Sequence, residues 1–532
     1  MFRYILVSVL IIPALSQTGN AQQFSKLLVK GYGSQPEDVL VAISPSGEMF
    51  RADGIKQGSV GNTDTLRIFS FDESMNEIAV ADIVGFVDNA ALEADDDRIY
   101  LNLKLNSLEN QPVYLPGIGL ISTGDYSQGS ILVAMNHDLV VEWYEFFGAD
   151  SYGSGFWECD ILFMNNGNLL FNVWEDHPDY FLYVKLKEYT PDGNLVSEFW
   201  QTELVYTMQE DSQGNLYVTG PCASQEAVFN GEEVTLSFTY NFYVVKYDIS
   251  RNYVWSNYVE DGTCPYTDLV LNSYDELFLL TPSVSGEFIF DDIVLNIPSN
   301  NHFVVAKLDD QGAFEWAKTI TENETGGFGA TSITFNSYAK AADSGNIFFC
   351  GIAYGNLVWN HGLQFDYLPN SPFIARLGND GIVDWVKFGE TTTSSFPSAT
   401  HVDIVDQGLV IGGMGQDSIR FDSVQVFQDG PLSYLALMPF ENLPTGKSDF
   451  QAQRFTVFPN PATNQLQIHA GQNLREDSEI KLVDLTGKVQ IHKTEVSDFP
   501  AEINTENLKN GMYIISVYSG MEYYSQKLII QR

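Results

Sequence analysis

Five of the eight tryptophans recur at one place in a repeated segment, and such a repeat constrains a fold more than any single motif does. Trp143, Trp200, Trp255, Trp316 and Trp385 each close a phrase made of a short apolar strand, a polar or glycine-bearing turn, and then the tryptophan. The clearest copies are FYVVKYDISRNYVWSNYV (Phe242–Val259), HFVVAKLDDQGAFEWAKTI (His302–Ile320) and PFIARLGNDGIVDWVKFG (Pro372–Gly389). A strand-built unit of roughly sixty residues cannot bury both faces of its own small sheet, so it must stack on its neighbours.

Two more phrases alternate with the tryptophan phrase. One is a hairpin with a D-x-x-G-N turn, as in TMQEDSQGNLYVTG (Thr207–Gly220), DILFMNNGNLLFNVW (Asp160–Trp174) and AADSGNIFFCG (Ala341–Gly351). The other is a Phe-led stretch, as in VFNGEEVTL (Val228–Leu236), FIFDDIVLN (Phe288–Asn296) and RFDSVQVF (Arg420–Phe427). The order predicts four antiparallel strands per unit: two from the hairpin, the Phe-led strand third, and last the strand that turns into the tryptophan segment. That is the blade of a β-propeller.

Leu40–Gly54 and Leu66–Ile83 supply N-terminal copies, which gives seven blades, with six as the fallback count. The last copy, Ser433–Phe440, lacks its tryptophan continuation, whereas Phe24–Ile43 has the form of Val383–Val405. The N-terminal strand is therefore expected to complete the last blade and close the ring, leaving no free edge. One large aromatic per unit, followed by a small or amphipathic residue, fits packing between blades better than ligand stacking.

The ends of the chain give an address. Arg3, the apolar run Tyr4–Leu15 and the small-residue exit before Gln22 read as a signal peptide over residues 1–21. No other run is long enough to span a bilayer, so the mature chain is expected to carry no transmembrane segment. Residues 22–447 form the propeller in this reading, 448–454 a linker, and 455–532 a small antiparallel β-sandwich. The class is all-β throughout.

Of the formal charge of −42, residues 450–532 account for 8 basic and 9 acidic residues, leaving 19 basic and 60 acidic before them. A body carrying about −41 repels phosphate backbones, so nucleic acid is excluded as a partner. The same charge favours solubility.

The phrases D-x-x-G-N-x-Y-x-T-G and F-V-x-K-x-D-x-x-G-x-x-x-W resemble the β-propeller repeats of bacterial surface and secreted proteins, best over Thr207–Gly389. That resemblance implies a fold and no activity. The tail resembles the C-terminal sorting domain of the type IX secretion system of Bacteroidota. The matching residues are Phe458, Pro459, Asn460 and Pro461, then Asp484, Gly487 and Lys488 of DLTGK, Gly511 and Tyr513, and Lys527 near the end. The resemblance implies an immunoglobulin-like sandwich that engages the secretion machinery and delivers the protein to the outer-membrane surface or the medium.

Chemistry is sparse. There is no HExxH, GxSxG, P-loop or dinucleotide-binding glycine run. No metal site and no cofactor are predicted; acidic turns leave calcium open, without the ligand spacing of an EF-hand. The densest candidate for ligand binding is the loop Trp174-Glu175-Asp176-His177-Pro178-Asp179-Tyr180 together with Trp157 from a neighbouring loop. Its binding residues would be Trp157, Trp174, Asp176, His177, Asp179 and Tyr180, since aromatics beside carboxylates suit sugar stacking with hydroxyl hydrogen bonds. Cys222 and Cys264 fall on one face of adjacent units and are the candidate disulfide, two buried free thiols being the other reading.

The leading expectation is a binding or adhesion module for glycan or protein, with no catalytic residue assigned. An extracellular propeller hydrolase or lyase acting on polysaccharide is the alternative, and a structural surface component the third. Carboxylates or histidines converging on the central channel would favour the enzyme, and an aromatic-acidic patch on the loops would favour binding.

Overall fold

The computed structural model describes residues 26–32, 39–55, 63–72, 75–106, 112–149, 159–175, 177, 179–180, 183–222, 226–236, 242–260, 267–283, 286–297, 302–320, 327–329, 339–342, 345–360, 364–390, 398–405, 408–422, 424–439, 455–458, 462–470, 478–484, 489–496, 501–519 and 522–531. Residues 1–21 and 448–454, read from the sequence as signal peptide and linker, lie outside these residues. Every helix or strand among them is a β-strand, and the chain divides into a unit over Phe24–Phe440 and a separate C-terminal one from Glu441.

The larger unit repeats one antiparallel pairing scheme. Val39–Ile43, Met49–Ile55, Thr63–Phe71 and the first half of Glu77–Ala94 make the first four-stranded run. The second half of Glu77–Ala94 opens the next run, with Arg98–Asn106, Gln128–Asn136 and Val141–Ala149. Ile161–Phe163, Leu169–Trp174, Val184–Tyr189 and Leu195–Gln201 follow. Thr207–Glu210, Leu216–Pro221, Phe242–Tyr247 and Tyr253–Tyr258 form the fourth run. Asp268–Leu271, Leu277–Ser283, His302–Leu308 and Phe314–Thr319 form the fifth.

Ala339–Ala341, Ile347–Val358, Gln364–Leu377 and Val383–Glu390 make the sixth run. The last has Ser398–Val405, Gly408–Phe421 and Val424–Pro439, and takes its fourth strand from the other end of the unit. Lys26–Gly31 pairs with it in register from Lys26↔Leu437 to Gly31↔Leu432. The first strand of each run lies beside the first strand of the next, and Ser398–Val405 lies beside Val39–Ile43.

Side chains at these inner junctions hydrogen-bond from run to run. Asn89 Oδ1 accepts the Cys159 N–H (3.3 Å), Asp160 Oδ2 the Met208 N–H (2.7 Å), Thr207 Oγ1 the Leu269 N–H (3.0 Å) and Asp268 Oδ2 the Ala339 N–H (3.2 Å). Thr400 Oγ1 donates to the Val39 carbonyl (2.9 Å), joining last run to first. All five side chains are buried, so each bond also satisfies a group that would be expensive to leave unpaired.

The Phe-led stretches are not third strands of the runs, contrary to the sequence expectation. They fold back as hairpins of their own, Glu226–Phe229 with Glu232–Thr235 and Gly286–Phe290 with Ile293–Ile297. Each bonds the preceding run at or just past its last strand, through Gln201↔Phe229 and Glu260↔Ile289. The physical reason is in the phrases themselves: Asn230 and Gly231, and likewise Asp291 and Asp422, have positive φ and make tight hairpin turns. Phe229, Phe288, Phe290 and Phe421 are buried, so the hairpins act as apolar wedges. The fourth place in the second to sixth runs goes to the tryptophan strand.

Trp143, Trp255 and Trp316 sit against the outer turn of the following run, at Gly193, Gly312 and Gly381. Trp143 Nε1 donates to the Pro191 carbonyl (2.9 Å) and Trp255 Nε1 to the Asp310 carbonyl (3.2 Å). The glycine of each turn makes room: a Cβ on Gly312, whose φ is 87°, would lie 2.6 Å from the Trp255 indole. The corresponding turn of the fourth run has Arg251 at the positive-φ position instead of glycine, and Trp200 lies beside Tyr180 and Tyr183.

Where last and first runs meet, Asp53 and Arg51 are fully buried and paired (Nε–Oδ1 3.1 Å), with the guanidinium 4.6 Å over the Phe69 ring. Tyr32, just past the N-terminal strand, and Ser433, on the strand it pairs with, both donate their hydroxyls to Asp53 Oδ2. Burial and then the Asp53 charge push the Tyr32 hydroxyl up, so it stays a donor.

In the C-terminal unit, Phe455–Phe458, Gln465–Ala470 and Ala501–Asn504 form one antiparallel sheet. Val489–Val496, Ser478–Asp484, Gly511–Ser519 and Glu522–Ile530 form a second, and the two share one core around Leu466, Ile468, Leu482, Ile515 and Leu528. Asp484 pairs with Tyr513 and Lys527 with Ile514, while Tyr513 donates its hydroxyl to the Lys509 carbonyl (2.9 Å). Phe458 and Gly511 lie on strands; Pro459, Asn460, Pro461, Gly487 and Lys488 lie outside the described residues.

Three substitutions test these contacts. Tyr32→Phe removes one of the two hydroxyl donors to the buried, charged Asp53 and is expected to destabilise the protein by about 1–3 kcal/mol in urea denaturation. Gly312→Ala, strained and clashing, is expected to cost about 1–3 kcal/mol. Gly167→Ala, at the same φ class with open space around it, is expected to cost about 1 kcal/mol. Equal effects for the two glycine variants would contradict the seating of Trp255.

Candidate functional site

Strand alternation in the third run builds a mixed aromatic and charged face. Tyr183, Lys185 and Lys187 are two residues apart, and the pairings Lys185↔Trp200 and Lys187↔Glu198 put both partner side chains on the same side. Glu175, just past Leu169–Trp174, completes a closed square of ion pairs. Lys185 Nζ lies 3.0 Å from both Glu175 and Glu198, and Lys187 Nζ lies 3.1 Å from Glu175 and 2.9 Å from Glu198. The Lys187 hydrogen bond, against some desolvation, holds the Glu198 carboxyl below its ordinary range. Burial disfavours charge on Lys185, but its two carboxylate partners raise its pKa on balance. The square ties the loop after Glu175 to the two outer strands.

On that face lies a cluster of rings. His177 stacks on Tyr183 with centroids 4.5 Å apart and is 4.9 Å from Tyr180. Tyr180 and Tyr183 are 9° from parallel at 6.4 Å, and both lie beside Trp200, at 5.3 and 5.2 Å. Tyr180 is 36% exposed; the other three rings are half-buried. His177 Nδ1 accepts the Asp179 N–H (3.1 Å), which makes Asp179 part of the turn that sets the imidazole.

Of the residues expected to bind ligand, His177, Asp179 and Tyr180 lie together here. Trp174 does not present itself: it is 2% exposed and packs in the core with Val184, Leu186 and Phe199. Trp157 and Asp176 lie outside the described residues. Sequence reasoning missed Tyr183, Glu198 and Trp200. The period-two spacing of Tyr183, Lys185 and Lys187, opposite that of Glu198 and Trp200, was the available signal, and Trp200 was hidden by its likeness to the packing tryptophans.

A second cluster gathers on the inner strands. Lys340 reaches Glu93, 247 residues away, at 3.3 Å, and their side chains are 30% and 21% exposed. Asp403 and His401 from Ser398–Val405, and more distantly Asp160 and Asp268, act on the same groups. Burial raises Asp403 to about 6 and Asp268 to about 7 against the pull of Lys340, and drives Asp160 well above the usual carboxylate range. Burial, then Lys340, lowers His401 to about 3. Much of the oxygen capacity here is used locally: Asp403 Oδ1 accepts the Ile404 N–H (2.8 Å), and Asp160 and Asp268 bond the next inner strand. Among the described residues no group of three acidic, histidine or cysteine side chains is arranged to hold a metal ion.

Cys222 is a buried free thiol, pushed up by burial and by Glu203; Cys264 lies outside the described residues.

The raised carboxyls set a pH dependence. Unfolded, Asp268 and Asp403 titrate near about 3.9. Rising pH therefore takes protons from the unfolded chain first and favours it, so their contribution is present below that value and lost as pH climbs through about 6 and 7. The urea midpoint is expected to fall between about pH 4 and 7, and Asp268→Asn to flatten that slope. An unchanged slope in the variant would exclude Asp268 as the source.

No curated protein matches the chain. Among solved structures, a protein of unknown function from Bacteroides caccae is 12% identical, covering 56% of this chain and 94% of its own with a TM-score of 0.28. A cobalt-substituted ACO of Synechocystis is 10% identical over 91% of this chain and 97% of its own, at 0.32. The AfRom2 CNH domain is 11% identical over 79% and 98%, at 0.30. At such scores these likenesses carry no argument. Residues 456–531, by contrast, match the family model of the secretion system C-terminal sorting domain. The chain thus ends in a type IX sorting domain and is exported by that pathway to the cell surface or the extracellular space.

Proposed function

We propose that the exported body is a seven-bladed β-propeller, closed by its N-terminal strand, that serves as a binding or adhesion module for glycan or protein. The four-stranded runs, the side-by-side inner strands and the Lys26–Gly31 pairing support the architecture. The observation that carries the function is the half-exposed ring cluster of His177, Tyr180, Tyr183 and Trp200, held on a rigid square of ion pairs. Preorganised aromatic faces beside hydrogen-bonding charges are what a recognition site needs, because ordering costs are met before the ligand arrives.

A second reading, an extracellular polysaccharide hydrolase or lyase, draws on the carboxyls Asp268 and Asp403 near Lys340. Raised carboxyl pKa values are the property a general acid requires. The inner-strand hydrogen bonds give the same residues a structural use, which favours the binding module.

Two measurements test the proposal. Removing residues 456–531 is expected to leave the protein in the periplasm of a host with the type IX pathway, while the full chain reaches surface or medium; equal export would contradict the sorting role. On combined glycan and protein arrays, Trp200→Ala is expected to lower binding about tenfold with thermal stability retained. Polysaccharide turnover that survives this change but disappears in Asp403→Asn would favour the enzyme.

A further inference from the structure

We infer that the ring cluster takes the ring face of an uncharged sugar in a neutral polysaccharide; this rests on the binding reading above and narrows its ligand. Shape is the first argument. Tyr180 and Tyr183 lie 9° from parallel with centroids 6.4 Å apart, and Trp200 flanks both. Tyr180, 36% exposed beside the half-buried Tyr183 and Trp200, offers an apolar ring surface to solvent, which matches the C–H face of a pyranose. A protein partner would instead need about 800 Å² per side with a concave pocket for a buried anchor.

Hydrogen bonding is the second argument. A sugar joins an apolar face to a rim of hydroxyls, so its site must place acceptors and donors beside the rings. Glu198 and Glu175 remain 40% and 25% exposed while holding the lysines, and can accept hydroxyl protons; Lys185, 19% exposed, can donate.

Charge is the third argument, and it selects the class of glycan. Each ammonium of Lys185 and Lys187 already lies between two carboxylates, so the four groups sum to zero. A sulfated or uronic polymer would meet no uncommitted cation in the square, and it would approach a body whose acidic residues far outnumber its basic ones.

Affinity electrophoresis and calorimetry of the intact exported protein with galactomannan, laminarin and amylose as neutral probes, and alginate and chondroitin sulfate as charged ones, test the inference. At least one neutral polymer is expected to bind, with affinity changed less than about twofold between low and 0.5 M salt. Tyr180→Ala and Trp200→Ala are expected to weaken it by about tenfold each. Glu198→Gln, which leaves two lysines with one carboxylate, is expected to create salt-sensitive alginate binding. If wild type binds the charged polymers and not the neutral ones, and the ring variants abolish that binding, the neutral class is overturned while the site stands. If no polymer binds, the inference is overturned. If binding occurs but both ring variants leave it unchanged with folding intact, the site itself is overturned.

Discussion

The larger unit depends on the meeting of its ends. A series of small sheets packed side against side buries each apolar face only by covering it with the next, so a series with free ends would leave two faces bare. Here Val41, Met49, Phe69 and Phe71 of the first run share one core with Val410, Leu435 and Leu437 of the last. Lys26–Gly31 then supplies the outer strand that the last run lacks. The buried Asp53, bonded by Tyr32 and Ser433 and paired with Arg51, fixes that junction with polar geometry, which apolar packing alone does not specify.

Scarcity of positive charge organises much of the rest. With 27 basic residues against 69 acidic ones, most cations the structure describes are committed to internal carboxylates. Lys340 serves the inner strands, Arg376 meets Asp384, and Lys185 with Lys187 holds the loop that carries His177 and Tyr180. The pairs are thus spent on fixing geometry. Exposed pairs add little stability singly, but a closed square with partly buried members resists rearrangement because no member can leave alone.

Much of this was legible in the sequence, and the failures are instructive. The D-x-x-G-N turns located the hairpins, and the missing tryptophan after Ser433–Phe440 pointed to the N-terminal strand that does pair there. The Phe-led phrases misled because their apolar alternation outweighed the turn inside them; Asn230-Gly231 was itself a hairpin signal. The same one-dimensional reading could not separate Trp200 from Trp255. Their difference lies in what each one meets: Trp255 seats on the turn that holds Gly312, and Trp200 lies beside Tyr180 and Tyr183. The inner cluster was beyond sequence altogether, since Glu93 and Lys340 meet only through the arrangement of the runs between them.

The strand Val424–Pro439 has Gly408–Phe421 on one side and Lys26–Gly31 on the other, and the chain continues from it toward the sorting domain. Tension applied through the tail therefore falls on a strand held along both edges. It cannot be peeled from the rim of its sheet; two ladders of hydrogen bonds must shear together. A protein held outside the cell by its C-terminal end would meet drag and flow at a strand laced along both edges, with the N-terminal residues acting as the second lace.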